Sequence, residues 1–199
     1  MSHYYKTDNN LKAEDIKIDF EFSDQSFIFF SNSGIFSKNH VDQGSKILLE
    51  YLSGLKLNGK LLDIGCGYGV LGIVLKRLFP ELSVTLIDIN ERALKATKEN
   101  CKVNNVECYV AKSDVYQNIS SKYDFIITNP PIRAGRAVVF TIIEQSKQYL
   151  SNHGQLILVV GKKQGALSLL SFIEECYDNS EICLKKQGFY VLRAKNLKN

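Results

Sequence analysis

The segment Leu62-Asp63-Ile64-Gly65-Cys66-Gly67-Tyr68-Gly69 carries an acid near the end of an apolar run and follows it with alternating glycines. Glycine accepts positive φ and lets a ligand lie against bare backbone, so this is the composition of a nucleotide-holding turn. About twenty residues later Asp88 closes a second apolar run, where a carboxylate can accept hydrogen bonds from the ribose hydroxyls of a nucleoside. Gly67-x-Gly69-x-x-Gly72 is also a literal match to the dinucleotide fingerprint, which makes an NAD(P)-dependent oxidoreductase the rival reading. Asp63 argues against it, because a pyrophosphate there would set negative charge beside negative charge. A ligand with an amine and a sulfonium suits that acid better. The sequence also offers no convincing Tyr-Lys or His-Asp arrangement for handling a hydride.

Asn129-Pro130-Pro131 follows the apolar run 123–128. Proline biases the residue before it toward an extended backbone, and a second proline stiffens the turn, so the Asn129 amide is held in place. An Asn side-chain oxygen and a neighbouring carbonyl are neutral acceptors suited to the two hydrogens of an amino group. Held in that way, a nitrogen lone pair can be aimed at an electrophilic methyl, which is catalysis by orientation.

These residues need a scaffold that brings two loops together. From residue 60 onward, apolar runs at 60–64, 83–87, 107–111, 123–128 and 155–160 alternate with helical patterns at 70–78, 91–103, 137–150 and 165–177. That order predicts an α/β fold, a mostly parallel sheet with helices on both faces. Segments 181–185 and 189–194, joined through Gln187-Gly188, predict an antiparallel C-terminal hairpin. Ahead of the core, 16–22 and 27–30 predict a small N-terminal hairpin around Ser23-Asp24, and 45–52 a helix. Residues 1–45 are read as an extension and 46–199 as the main domain. In such sheets ligands bind beyond the carboxyl ends of the strands, so the glycine turn and Asn129 should share one crevice. The hairpin and the 34–44 loop are expected to form its lid.

The chain has 199 residues, room for one well-buried domain. Its cysteines (Cys66, Cys101, Cys108, Cys176, Cys183) and histidines are scattered without ligand spacing, so neither a disulfide framework nor a metal site is expected. No stretch has the ~20 apolar residues of a membrane span and no secretory leader is evident, so a cytoplasmic location is expected. The net charge of +4 leans toward an anionic partner.

In order and spacing, Asp63 to Gly69, Asp88, Asp114 and Asn129-Pro130-Pro131 resemble the motifs of class I S-adenosylmethionine-dependent amino-methyltransferases. Gly34-Ile35-Phe36-Ser37, Asp42-x-Gly44 and Ile132-Arg133-Ala134-Gly135-Arg136 narrow the resemblance to the catalytic half of ribosomal RNA guanine-N2 methyltransferases. The resemblance implies the Rossmann-like methyltransferase fold, with a seven-stranded, mostly parallel sheet, and S-adenosylmethionine as cofactor, its methionine part held by Asp63, Gly65, Cys66, Gly67 and Gly69. It implies Asp88, with Ile89, at the ribose and Asp114, with Val115, at the adenine. Asn129 and the Pro130 carbonyl, stiffened by Pro131, would hold the target amine of a base in RNA, favoured as guanine N2. A protein side-chain amide, or an adenine or cytosine amine, suits the same grip. Ile132 stands where many amino-methyltransferases place an aromatic, so stacking falls to Phe36 or another ring. Arg133 and Arg136, and beyond them Lys185, Lys186, Arg193, Lys195 and Lys198, are candidates for phosphates of an RNA or ribosomal subunit.

Overall fold

The structure, a computed structural model, describes residues 16–31, 40–130, 132 and 135–197. Successive side chains of a strand point to opposite faces, and in this sheet both faces are covered. In β3 (Lys60–Ile64), Leu61 packs with residues of α1 (Gln43–Ser53), α2 (Val70–Leu78) and α3 (Glu91–Val103). Leu62 and Ile64 pack on the other face with α4 (Arg136–Tyr149) and α5 (Ala166–Cys176). The same parity divides β6 (Tyr123–Thr128), with Phe125 and Ile127 toward α1–α3 and Ile126 toward α4 and α5.

With β4 (Ser83–Asp88), β5 (Tyr109–Lys112), β7 (Leu150–Gly161), β8 (Ser180–Lys186) and β9 (Phe189–Lys195), the strand order is β5-β4-β3-β6-β7-β9-β8. The pairs from β5 to β7 are parallel, and β9 runs antiparallel to both β7 and β8. This is the seven-stranded, mostly parallel sheet with an antiparallel C-terminal hairpin that the sequence leads one to expect. β7 begins at Leu150, earlier than the apolar run, because Leu150 pairs with Tyr123 and the His153 N–H donates to the Asn196 carbonyl at 2.8 Å. Those contacts recruit polar residues that show no strand periodicity. Gly72 lets α2 close on β4, since a Cβ there would lie 2.1 Å from a Leu86 methyl carbon. The last glycine of the apparent dinucleotide fingerprint is therefore a packing residue.

β1 (Ile16–Phe22) and β2 (Gln25–Ser31) form the N-terminal hairpin, with Ser23 (φ 48°) and Asp24 (φ 58°) in its two-residue turn. Left-handed backbone at both turn positions matches the twist of the strands. Asn100 on α3 and its C-cap Asn104, one turn further on, pair with the free edge of β2. The Phe30 N–H donates to Asn100 Oδ1 (2.7 Å) and the Ile28 N–H to Asn104 Oδ1 (3.1 Å), while each Nδ2 returns a bond to the same residue's carbonyl. Phe27 and Phe29 are at most 1% exposed, and burial of a Phe is worth roughly 1.5–3 kcal/mol. The expectation of a lid is corrected for this hairpin. It is a docked wall, because its edge and its aromatic face are both committed to the core. The expected division between residues 45 and 46 falls inside α1, which starts at Gln43.

Candidate active site

The chain runs outward from β3 to β4 and β5, then crosses to β6 on the other side of β3. Strand order thus reverses between β3 and β6, the place where α/β sheets open a crevice at their carboxyl ends. Asp63 is in register with Ile127, and the Thr128 hydroxyl donates to the Ile64 carbonyl at 2.8 Å. The glycine loop and Asn129 are consequently the two lips of one crevice.

The loop is shaped by partners on β4 and α3. Gly67 (φ 57°) and Gly69 (φ 92°) take left-handed backbone that a side chain would strain. The Gly67 N–H donates to Asp88 Oδ2 (2.9 Å), and the Gly67 carbonyl accepts from the Thr97 hydroxyl (2.7 Å). Asn100 Nδ2 donates to the Tyr68 carbonyl (2.8 Å). Thr97 and Asn100 are both 0% exposed, and sequence reasoning missed them as site residues. The available signal was two polar side chains on the buried face of α3, in line with Ala93, Leu94 and Cys101. Cys66 is spent on the fold. Its N–H donates to the Ile87 carbonyl (3.0 Å), its carbonyl accepts from Gly69 (2.9 Å), and burial pushes its thiol well up.

Strand parity sends Asp63 toward α2, where Oδ2 accepts the Gly72 N–H at 3.2 Å. The side chain is 0% exposed and Oδ1 has no protein partner, a buried acceptor available to a donor at the crevice floor. Burial pushes its carboxyl up to about 7, opposed by the Gly72 N–H and assisted by the charge of Asp88. An unfolded Asp ionises near pH 4, so between about pH 4 and 7 the folded chain holds a proton that the unfolded chain has lost. Its contribution to stability is complete below about pH 4 and is lost as pH rises through about 7. The unfolding free energy of the ligand-free protein, from urea titration, is expected to fall from about pH 5 to about pH 8, by up to a few kcal/mol at about 1.4 kcal/mol per pKa unit. Asp63→Asn should flatten that fall, and equal slopes for the two proteins would place Asp63 ionised throughout.

Asp88 lies at the end of β4, with Oδ1 accepting the Asn90 N–H at 2.8 Å. Burial raises its carboxyl, against the N–H groups of Asn90, Gly67 and Ile89 that lower it. An ionised carboxylate has about four acceptor positions, so after the Asn90, Gly67 and Ile89 N–H groups it retains one for a hydroxyl. Ile89 is half-buried beside it. The Ser113 N–H donates to the Asp88 carbonyl (3.1 Å), which brings the exposed Asp114 to the next position along the lip. Val115 has φ 49°, unusual for a β-branched residue and braced by the Ser113 hydroxyl on its carbonyl (3.0 Å). An inner acid, a glycine cradle, a hydroxyl acceptor and an outer acid in this sequence fit a nucleoside with an amino-acid tail.

Across the crevice, Asn129 Nδ2 donates to Asp42 Oδ1 (2.9 Å) and to Ser45 Oγ (3.0 Å). Neither partner was assigned a role from sequence. The Pro130 carbonyl accepts the Ile132 N–H at 2.8 Å, leaving a second lone pair. Ile132 packs in part against the α4–α5 core cluster. Arg136, the first residue of α4, donates to Ser168 Oγ (2.6 Å) and lies over the Phe140 ring (5.5 Å), so it ties α4 to α5 from an exposed position. Phe36, Pro131, Arg133 and Lys198 fall outside the described residues, as does the stretch 32–39 of the expected lid.

The expected C-terminal basic footprint is corrected for Arg193 and Lys195, while Lys185 pairs with Tyr190 toward the crevice end. Gly161 pairs with Phe189 at the crevice end of β9, whereas Gln155 pairs with Lys195 at the far end. At about 3.3 Å per residue, Lys195 is roughly 20 Å from the crevice. Arg193 lies toward that far end and is paired with Glu181. Lys186, near the crevice, is bound to Glu50 at 2.6 Å. Sequence reasoning passed over Lys162 and Lys163, which leave the crevice end of β7 in a 3-10 turn. Both are exposed, and among the described residues neither forms an ion pair. Among the described residues no cluster of three His, Cys, Asp or Glu gathers to hold a metal, and no helix is long and apolar enough to cross a membrane.

The model of the methyltransferase small domain family matches residues 26–193. The chain is 40% identical over 200 residues to protein YbxB of Bacillus subtilis, with 98% of each chain covered. It is 35% identical to ribosomal RNA small subunit methyltransferase C of Vibrio parahaemolyticus, covering 86% of this chain and 50% of that one. Among solved structures, the T. thermophilus 16S rRNA N2 methyltransferase RsmC, in complex with AdoMet and guanosine, is similar with a TM-score of 0.81 and 25% identity. That likeness covers 90% of this chain and 50% of the other. The chain spans about half the length of these ribosomal RNA methyltransferases.

Proposed function

The chain belongs to the methyltransferase small domain family, and from that premise we propose that it methylates the exocyclic amine of a base in RNA, with guanine N2 of ribosomal RNA as acceptor. The observation that carries this reading is the Asn129 amide, whose nitrogen is committed to Asp42 and Ser45 and whose oxygen accepts no hydrogen bond among the described residues. S-adenosylmethionine, when bound, supplies an electrophilic methyl, so that an N–C bond forms as the S–C bond breaks and the positive charge passes from sulfur to nitrogen. Asn129 Oδ1 and the Pro130 carbonyl accept the amine hydrogens and so aim its lone pair, with no strong base required before transfer. The proton then leaves the nitrogen for solvent. Asp63, the glycine loop, Asp88 and Asp114 supply the cofactor side of the crevice. A base must come out of its stack to reach this turn, at a cost of a few kcal/mol.

Lys162 and Lys163 support a polyanionic substrate, because they stand unpaired beyond the strand that neighbours the catalytic turn. Lys162→Gln with Lys163→Gln is expected to raise the KM for RNA about tenfold while cofactor affinity holds. Loss of two phosphate contacts should also reduce the slope of log K against log salt by about 1.5–2. An unchanged slope would remove these lysines from the RNA footprint.

The direct test is transfer of labelled methyl from S-adenosylmethionine to unmethylated small ribosomal subunits, with the RNA then digested to nucleosides. Label in N2-methylguanosine is the expected result. Label in another nucleoside would keep the amine grip and change the acceptor, label confined to protein would move the substrate class, and failure to bind the cofactor would overturn the reading.

A further inference from the structure

We infer that Asp42 is the positioning residue for the acceptor amine, which fixes the Asn129 amide with its oxygen toward the crevice and sets a carboxylate behind it. The inference rests on the reading of Asn129 as the amine grip. A primary amide is nearly symmetric in shape, so what decides which atom faces the amine is which atom already has partners. Asn129 Nδ2 has two, Asp42 Oδ1 at 2.9 Å and Ser45 Oγ at 3.0 Å, and these use both of its hydrogens. The flipped amide would place oxygen against a carboxylate, acceptor against acceptor. The two bonds therefore hold the productive orientation and keep a competing donor away from the amine.

Asp42 is itself held rigidly. It is the N-cap of α1, with Oδ1 accepting the Ser45 N–H (3.1 Å) and its carbonyl accepting the Lys46 N–H (3.1 Å). Ile47, Leu48, Leu49 and Leu52 anchor that helix in the core at 1% exposure or less. Gly44 makes the approach possible, since a Cβ there would lie 3.1 Å from Asp42 Oδ1 and 3.3 Å from both polar atoms of the Asn129 amide. The carboxylate also has an electrostatic effect. It polarises the amide through Nδ2, so Oδ1 carries more negative charge at the point where the nitrogen becomes positive.

Asp42→Ser separates this role from helix capping, because serine caps a helix as well as aspartate but does not bring a charged oxygen to Asn129. Its kcat is expected to fall about 10- to 100-fold, with KM for RNA and Kd for S-adenosylmethionine within about twofold of wild type. Asp42→Asn retains an acceptor oxygen without the charge and should recover part of that loss. Added to Asn129→Ala, Asp42→Ser should cost nothing further. Wild-type kcat in Asp42→Ser, or a full additional loss in the double variant, would overturn the proposal. A second readout is independent of the acceptor. The Asn129 side-chain N–H signals in 1H–15N spectra should move in Asp42→Ser and in Ser45→Ala, and unmoved signals would also overturn it. A wild-type enzyme that left RNA unlabelled while these signals responded would defeat the substrate assignment and leave the role of Asp42 standing.

Discussion

Asn129→Ala is expected to lower turnover by about 10²- to 10³-fold, the range seen when one preorganised polar contact to a reacting group is removed. Affinity for S-adenosylmethionine should stay within about twofold. The split follows from position, because Asn129 leaves β6 on the lip opposite the glycine loop and its nitrogen bonds to Asp42 and Ser45. Removing the side chain deletes the aimed acceptor and leaves Asp88 and the loop it braces untouched. Asn129→Asp should fare no better, since a carboxylate facing Asp42 replaces that attractive contact with acceptor-to-acceptor repulsion. Single-turnover rates with saturating RNA, set beside cofactor titration by calorimetry, measure both quantities. A loss of cofactor affinity as large as the loss of rate would transfer Asn129 to the cofactor grip, and retention of wild-type rate would end its assignment as the amine holder.

What was legible in the sequence was local. Strand, glycine turn, helix and acid follow one another within thirty residues, and near-continuous apolar runs such as Tyr123–Thr128 signal a strand buried on both faces. The architecture followed from these runs, as did the meeting of the glycine turn with Asn129 at the crevice. The partners that orient the site were not legible, because each acts across a long loop closure. Asp42 meets Asn129 over 87 residues and Asn100 meets Phe30 over 70, and nothing in a neighbourhood of ten residues distinguishes either from an ordinary helix cap or a tolerated polar residue. Lys162 and Lys163 have the composition of any solvated turn until β7 is known to end at the crevice. Arg193 and Lys195 failed for the opposite reason. They are close in sequence to Lys185 and Lys186, but the hairpin strand carries them away from the site. Asp63 was a matter of parity that the sequence did contain. Leu61 and Asp63 share a face of β3, so the acid had to turn toward α2, with its Oδ1 buried and unpartnered.

Asp88→Ala is expected to weaken S-adenosylmethionine binding by about 10²-fold or more, with kcat at saturating cofactor far less affected. The size comes from two losses at one residue. A carboxylate accepting hydroxyl hydrogens makes charge-assisted bonds, each worth about 1.5–3 kcal/mol against a neutral contact of about 1 kcal/mol. The same carboxylate accepts the Gly67 and Asn90 N–H groups, so its removal also releases the glycine loop from β4 and loosens the entry to α3, which Asn90 caps. Part of the binding energy must then be spent on ordering the loop. Asp88→Asn separates the losses, because its single oxygen can satisfy one backbone N–H while its amide nitrogen repels the other. Were the loop bonds the whole effect, Asp88→Asn and Asp88→Ala would weaken S-adenosylmethionine and free adenine alike. If Asp88 holds the ribose, the deficit should appear for S-adenosylmethionine and adenosine and be much smaller for 2′-deoxyadenosine, which already lacks one of the two hydroxyls. Equal deficits for adenosine and its deoxy form would return Asp88 to a purely structural role beneath the loop.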